Sequence, residues 1–233
     1  MRLNKFLAES GVGSRRTCDK LIEEGIVTIN NQRATLGAIV KKNDCVKVRN
    51  KQIVNKKELK YYMMNKPKGY ICSMKDDRDR KTVVSLLPNE ESRIYPVGRL
   101  DYATEGLLLL TNDGELTFKL THPIHEIPKT YLAKIEGILS EQEINSLRNG
   151  IVLDGKQTHK SKIKIIEVNK KFTNLHITIY EGRNRQIRRM FESIGKEVVF
   201  LKRIKIADMP LGNLKRGEVR KLTPQEIFYL KHL

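Results

Sequence analysis

The amino-acid sequence predicts an α+β protein of two domains. A small helix-helix-strand domain is expected over residues 1–55, and a larger domain with a mainly antiparallel mixed sheet flanked by helices over 61–233. Three observations predict this class. Apolar residues recur at helical spacing in some segments, they alternate in others, and the two kinds of segment do not alternate steadily as in parallel βαβ folds.

The elements of the small domain follow from its apolar spacing and its glycines. Leu3, Phe6 and Leu7 share one face of a short first helix. A second helix begins at the N-cap Ser14 and stops at Gly25. The remaining elements are two short strands and a linker, predicted at 26–30, 44–48 and 51–60.

The larger domain combines strands and capped helices. Apolar runs or alternation predict strands at 61–65, 69–74, 106–111, 131–137, 160–168 and 174–182. Helices are predicted at 112–121, 140–150, 185–195 and 223–230. Ser140 with Glu143 has the spacing of a capping box, which supports the second of these helices.

The composition favours a polyanionic partner. The chain of 233 residues has a net charge of +18 and a pI near 9.8. Fourteen Lys and Arg against six Asp and Glu give the first 60 residues a net charge of +8. Such an excess attracts nucleic acid first and an anionic membrane surface second.

Compartment signals favour the reducing cytoplasm. No apolar run is long enough to span a bilayer, and the first residues lack the apolar core of a signal peptide. The three cysteines are odd in number and lack metal-ligand spacing, and the five histidines show none either. No disulfide framework and no metal site are therefore expected.

Basic residues gather at the start of the second helix. Arg15 and Arg16 occupy its first turn behind Ser14, where free amides and guanidinium groups can bind phosphate. Lys5 and Lys20 extend this basic group. A solvated helix face explains the same residues equally well.

The segment GRLDYATEGLLLLTNDG, residues 98–114, presents a carboxylate in a glycine-bounded loop before an apolar strand. Asp101 is the candidate reactive group, and Arg99 and Thr104 could orient a ligand beside it. The alternative is that Asp101 is a turn or cap residue.

The segment EGRNRQIRRMF, residues 181–191, crowds four arginines at a predicted strand-to-helix junction: Arg183, Arg185, Arg188 and Arg189. Because like charges this close repel one another, negatively charged groups are expected to lie beside them. Bound phosphate is one answer, and a buried carboxylate partner for one of them is another.

These segments, in this order, resemble the bacterial ribosomal RNA pseudouridine synthases of the RsuA-like family. The first 60 residues resemble its small RNA-binding domain of the S-four type. The segments YYMMNKPKGYICS, YPVGRLDYATEGLLLLTNDGEL, KTYLAKIEG and EGRNRQIRRMFESIG resemble the motifs of its catalytic domain. GRLDYATEGLLLLTNDG and EGRNRQIRRMF are most similar to the large-subunit branch, whereas YYMMNKPKGYICS also echoes the small-subunit branch.

The resemblance implies a role for three residues. Asp101 falls on the family's catalytic aspartate, and Tyr131 on the tyrosine that packs against the target base. Arg188 falls on the basic residue that pairs with the catalytic carboxylate, so a salt bridge to Asp101 is expected. Arg99, Arg183, Arg185 and Arg189 are then candidates for contacts with RNA, together with Lys5, Ser14, Arg15, Arg16 and Lys20.

The implied reaction sets the chemical requirements. Uridine is detached from its ribose at nitrogen, rotated and rejoined through carbon. No redox change and no phosphoryl transfer occur, so no cofactor is expected. An ionised carboxylate near the anomeric carbon can act as nucleophile or as base. The target base must be flipped out of its stack, which costs a few kcal/mol.

The expected protein is thus a cytoplasmic rRNA pseudouridine synthase. A monomer is expected, because nothing in the sequence suggests an obligate dimer. Its partner is rRNA, with the large subunit favoured, or an assembly intermediate. A non-enzymatic RNA-binding or ribosome-assembly protein is the alternative, and Asp101, Tyr131 and Arg188 together favour the enzyme. A peripheral membrane protein would need a broad apolar helix face, whereas the stripe after Asn184 fits burial.

Overall fold

The computed structural model describes residues 1–54, 58–88 and 92–233. The chain divides into two compact units. The first comprises Met1–Leu59 and Glu91–Arg93, and the second comprises Lys60–Glu90 and Ile94–Leu233. We call them the small unit and the large unit.

The small unit packs two helices on a four-stranded sheet. Its elements are α1 (Leu3–Glu9), α2 (Arg15–Glu23), β1 (Val27–Ile29), β2 (Gln32–Arg33), β3 (Val46–Val48) and β4 (Lys51–Ile53). The strand order is β2-β1-β3-β4, and all pairs are antiparallel. Asn30 and Asn31 both have positive φ, the conformation that a two-residue hairpin turn requires. Leu3, Leu7 and Ile22 lie in its core.

The large unit is built on one nine-stranded sheet. Its helices are α3 (Gly114–Thr121), α4 (Glu141–Asn149), α5 (Gln186–Glu192) and α6 (Pro224–Lys231), with short 3-10 turns at Val83–Leu86 and Pro123–His125. Its strands are β5 (Tyr61–Lys66), β6 (Tyr95–Pro96), β7 (Glu105–Thr111), β8 (Lys129–Glu136), β9 (Val152–Leu153), β10 (Lys156–Gln157), β11 (Lys162–Val168), β12 (Phe172–Ile179), β13 (Val198–Ile206), β14 (Met209–Pro210) and β15 (Val219–Lys221). Strands β9 and β10 form a separate hairpin.

The main path through the sheet is β11-β12-β8-β13-β7-β5-β15. Its pairs are antiparallel except β7 with β13, which is parallel. Gly106 faces Arg203 at this parallel pair and has φ near +107°. A Cβ at Gly106 would collide with the Arg203 backbone, so the close approach of the two strands requires glycine. The α+β fold with a mainly antiparallel sheet is confirmed.

Two apolar cores cover the two faces of this sheet. Successive residues of β5 and β7 enter opposite cores, as the two-residue period of a strand requires. Leu108 and Leu110 belong to one core, and Leu107 and Leu109 to the other. Burial on both sides explains why LLLL is continuous rather than alternating.

Three predictions of local structure were wrong. Residues 69–74 form no strand, and only Ile71 makes an isolated bridge, to Thr82. The predicted linker begins with strand β4, which pairs with β3, whereas residues 55–57 lie outside the described part of the chain. Strand β13 was missed, because charged residues interrupt its apolar pattern.

Among the described residues, no helix is long and apolar enough to cross a membrane.

Candidate active site

A cleft of about 360 Å³ lies beside the sheet of the large unit. Its lining includes three groups of residues that carry charged side chains. The loop before β7 contributes Arg99, Asp101 and Thr104, and the turn between β12 and α5 contributes Arg183 and Arg185. The sheet itself supplies the floor: Lys129, Tyr131, Ile179, Leu201, Arg203 and Ile206.

Asp101 lies half-buried at the edge of the cleft. Two hydrogen bonds hold its backbone carbonyl in place. Its carbonyl accepts hydrogen bonds from the Thr104 N–H at 3.0 Å and from the Lys66 ammonium at 3.1 Å. Gly98, with φ near +72°, allows the chain to turn into this loop. The carboxylate is thereby presented by a braced loop.

Lys66 is the brace, and it is 0% exposed at the end of β5. Its ammonium donates to the carbonyls of Pro67 at 3.0 Å, Asp101 at 3.1 Å and Thr104 at 2.9 Å. Burial lowers the pKa of Lys66, while the negative charges of Asp101 and Glu105 oppose that shift. These hydrogen bonds tie the end of β5 to Asp101 and to Thr104, the last residue before β7.

The floor places Tyr131 next to two basic residues. Lys129 and Tyr131 are two residues apart on β8, so they share one face, and Arg203 on β13 lies directly opposite Tyr131. Arg203 is 3% exposed and donates through Nε to the Leu107 carbonyl at 2.7 Å. Burial, and then the charge of Arg203, lower the pKa of Lys129 to about 8.

The predicted salt bridge between Asp101 and Arg188 is not formed among the described residues. Arg188 donates to the Val198 carbonyl at 2.7 Å and to the Ala103 carbonyl at 3.5 Å. Burial and the neighbouring Arg185 lower the pKa of Arg188, and the charge of Asp101 opposes this. Arg188 therefore contacts the backbone of the Asp101 loop.

The other arginines of the cluster have different surroundings. Arg183 donates to the Glu181 carboxylate at 3.1 Å and to carbonyls of the β9–β10 hairpin, so its donors are used within the protein. Arg189 forms two hydrogen bonds with Asp154, at 2.8 and 2.6 Å. Arg185 is exposed beside the cleft and pairs with Glu192 at 3.2 Å.

The candidate RNA-contact residues of the small unit surround α2. Ser14 caps the helix by accepting from the Thr17 N–H at 3.0 Å. Arg15, Arg16 and Lys20 are exposed on it, and Lys5 lies half-buried on α1.

The sequence interpretation missed Lys66, Lys129 and Arg203. The available signal was a charged residue within or beside an apolar strand, because a buried cation needs a specific reason. Lys66 ends the apolar run of β5, and Arg203 lies within β13.

This fold and cleft define an RNA-modifying enzyme. The family model for RNA pseudouridylate synthase matches residues 60–193, and the model for the S4 domain matches residues 1–46. The chain belongs to the RNA pseudouridylate synthase family. The enzymatic prediction is confirmed over the non-enzymatic alternative.

Similar proteins cover the whole chain. The "Ribosomal large subunit pseudouridine synthase B" of Bacillus subtilis is 46% identical over 100% of this chain and 96% of its own length. The "Dual-specificity RNA pseudouridine synthase RluF" of Escherichia coli is 39% identical over 99% of this chain and 78% of its own. A solved structure described as a pseudouridylate synthase is 34% identical, with a TM-score of 0.72 over 99% of both chains.

Proposed function

We propose that this enzyme converts one uridine of ribosomal RNA, in the large subunit, to pseudouridine, with Asp101 as the reacting carboxylate. One observation carries the assignment of Asp101: its carboxylate borders a cleft whose floor holds Tyr131, on a loop braced by Lys66. The name of the Bacillus relative supports the large subunit as the source of the RNA.

The geometry supports a division of labour within the cleft. Asp101 acts at the sugar, as nucleophile at C1′ or as base at the neighbouring carbon, while the N1–C1′ bond breaks and the C5–C1′ bond forms. Tyr131, 7% exposed, offers a ring face to the flipped base. Arg188 acts on Asp101 through its positive charge and through its contact with the Ala103 carbonyl of the same loop.

RNA binding is assigned to both units. In the small unit, proposed to act as the RNA-binding domain over residues 1–55, Arg15, Arg16 and Lys20 are exposed and contact phosphates. In the catalytic domain, over 61–233, Arg99 and Arg185 border the cleft and hold the strand beside the target. The protein acts as a cytoplasmic monomer on free rRNA or on an assembly intermediate.

The test is site mapping on unmodified RNA. Large- and small-subunit rRNA transcripts are incubated with the enzyme without added cofactor, and pseudouridine is located by carbodiimide labelling and primer extension. One new stop on the large-subunit transcript is expected with the wild type and with the exposed control Asp208→Asn, and none with Asp101→Asn. Full activity of Asp101→Asn would refute the assignment. A stop only on partly assembled subunits would identify an intermediate as the substrate.

A further inference from the structure

The proposed reaction requires a proton acceptor that Asp101 at the sugar does not provide. Once C5 has bonded to C1′, C5 still carries its hydrogen, and the ring is not yet pseudouridine. The C5–H electron pair must become the C5=C6 double bond. The C6=N1 pair then moves to N1, which takes up a proton. The cleft needs a base near the uracil ring.

Lys129 has the position for this role. It is the first residue of β8 and shares a face with Tyr131, against which the base is proposed to pack. In the sheet it lies between Ile179 of β12 and Ile206 of β13, both of which also line the cleft. Its Nζ donates to the Ile127 carbonyl at 2.7 Å. Lys129 is therefore flanked in the sheet by apolar residues that line the cleft with it.

The charged groups around Lys129 favour its neutral form. Arg203 on β13 is the neighbouring charge that acts on it, and it is positive. The other charged residues that line the cleft are Arg99 and Asp101 on the loop, and Glu181, Arg183 and Arg185 at the β12–α5 turn. Within the described residues, no carboxylate forms an ion pair with Lys129, and Glu181 is bound by Arg183.

We propose that Lys129 Nζ, as the neutral amine, accepts the C5 proton of the rejoined uracil and then releases it to solvent. This inference rests on the proposed function. With its pKa lowered to about 8, roughly one amine in ten is neutral at pH 7. An unperturbed lysine would be neutral in fewer than about one molecule in a thousand. Burial beside Arg203 thus prepares the amine as a base.

Two substitutions separate proton transfer from charge. Lys129→Arg keeps a positive charge but cannot accept a proton at any working pH, and Lys129→Met removes both properties. The assay is single-turnover conversion of the large-subunit rRNA transcript, prepared with uridine or with 5-deuterouridine. The exposed Lys162→Arg on β11 is the matched control.

With the wild type, we expect the rate to rise with pH, to reach half its maximum near pH 8 and to level off about one pH unit higher. With Lys129→Arg we expect a loss of about 100-fold or more, a flattened pH profile and a 5-deuterium isotope effect larger than that of the wild type. Lys129→Met should behave in the same way, so the conclusion does not depend on how arginine fits the site.

Two results overturn the proposal in distinguishable ways. If Lys129→Arg keeps the wild-type rate, pH profile and isotope effect, or is slow with an unchanged isotope effect, Lys129 is not the base. If the wild type forms no pseudouridine on free or partly assembled RNA, the proposed function fails and this inference with it.

Discussion

Lys66→Met tests the brace beneath Asp101. The substitution removes three charge-assisted hydrogen bonds to the carbonyls of Pro67, Asp101 and Thr104. Burial lowers the pKa of Lys66, which shows that desolvation offsets part of their stabilisation. We therefore take the low end of the range for such bonds, about 1.5 kcal/mol each, so the three together contribute about 4.5 kcal/mol of unfolding free energy.

Urea unfolding measures this loss in the large unit alone. The chain has eight tyrosines and no tryptophan, and every tyrosine lies at or after Tyr61, so tyrosine fluorescence reports only that unit. With a slope of about 2 kcal/mol per M, the midpoint should fall by about 2 M. Turnover at low urea should also fall by about 100-fold, because the Asp101 loop loses its position.

Lys162→Met is the matched control, because Lys162 is exposed on β11. It should change the midpoint by less than about 0.3 M. If Lys66→Met unfolds within about 0.5 M of the wild type and turns over normally, the three hydrogen bonds do not brace the site and the reasoning fails.

Three further predictions concern the strand crossing, the cleft lysine and the small unit. Gly106→Ala should lower the unfolding free energy by about 3 kcal/mol or more, since its Cβ meets the Arg203 backbone at a positive φ; a normal urea midpoint would contradict this. Lys129 has a pKa of about 8 in the folded protein against 10.5 unfolded, so the unfolded chain binds more protons between these values and stability should rise with pH there. Between pH 8 and 10.5, the unfolding free energy of the wild type, measured by circular dichroism, should rise by about 3 kcal/mol relative to that of Lys129→Met. If the unfolding free energies of the two proteins change in parallel with pH, the pKa shift is refuted. Replacing Arg15 and Arg16 with Gln should weaken RNA binding and reduce the slope of log affinity against log salt by about 1 to 2, whereas an unchanged slope would exclude phosphate contacts at α2.

Local patterns in the sequence predicted most elements because short-range physics fixes them. The capping box of α4 forms as expected, with the Ser140 side chain accepting from the Glu143 N–H. The two-residue turn at Asn30 and Asn31 adopts the left-handed conformation that asparagine tolerates. In each case the determining contacts lie within four residues, so the sequence contains the whole signal.

Strand β13 shows where local patterns fail. Its apolar residues are interrupted by Lys202, Arg203 and Lys205, which suggests a solvated segment. In the fold it is a central strand, between β8 and β7, and Arg203 is buried because Leu107, distant in the chain, supplies a carbonyl. For residues 69–74 the error is the opposite: the apolar pattern predicts a strand, but only Ile71 makes a bridge to another segment.

The sequence by itself determined the class of fold, the family and the loop that carries Asp101, because these depend on local spacing and on motif order. Only the tertiary structure decided what surrounds that carboxylate. In the folded protein, Arg188 donates to the Val198 and Ala103 carbonyls, and Lys66 donates to the carbonyl of Asp101. Lys129 and Arg203 line the cleft. Hydrogen-bond partners and burial depend on residues far apart in the chain, and burial is what shifts the pKa of a lysine.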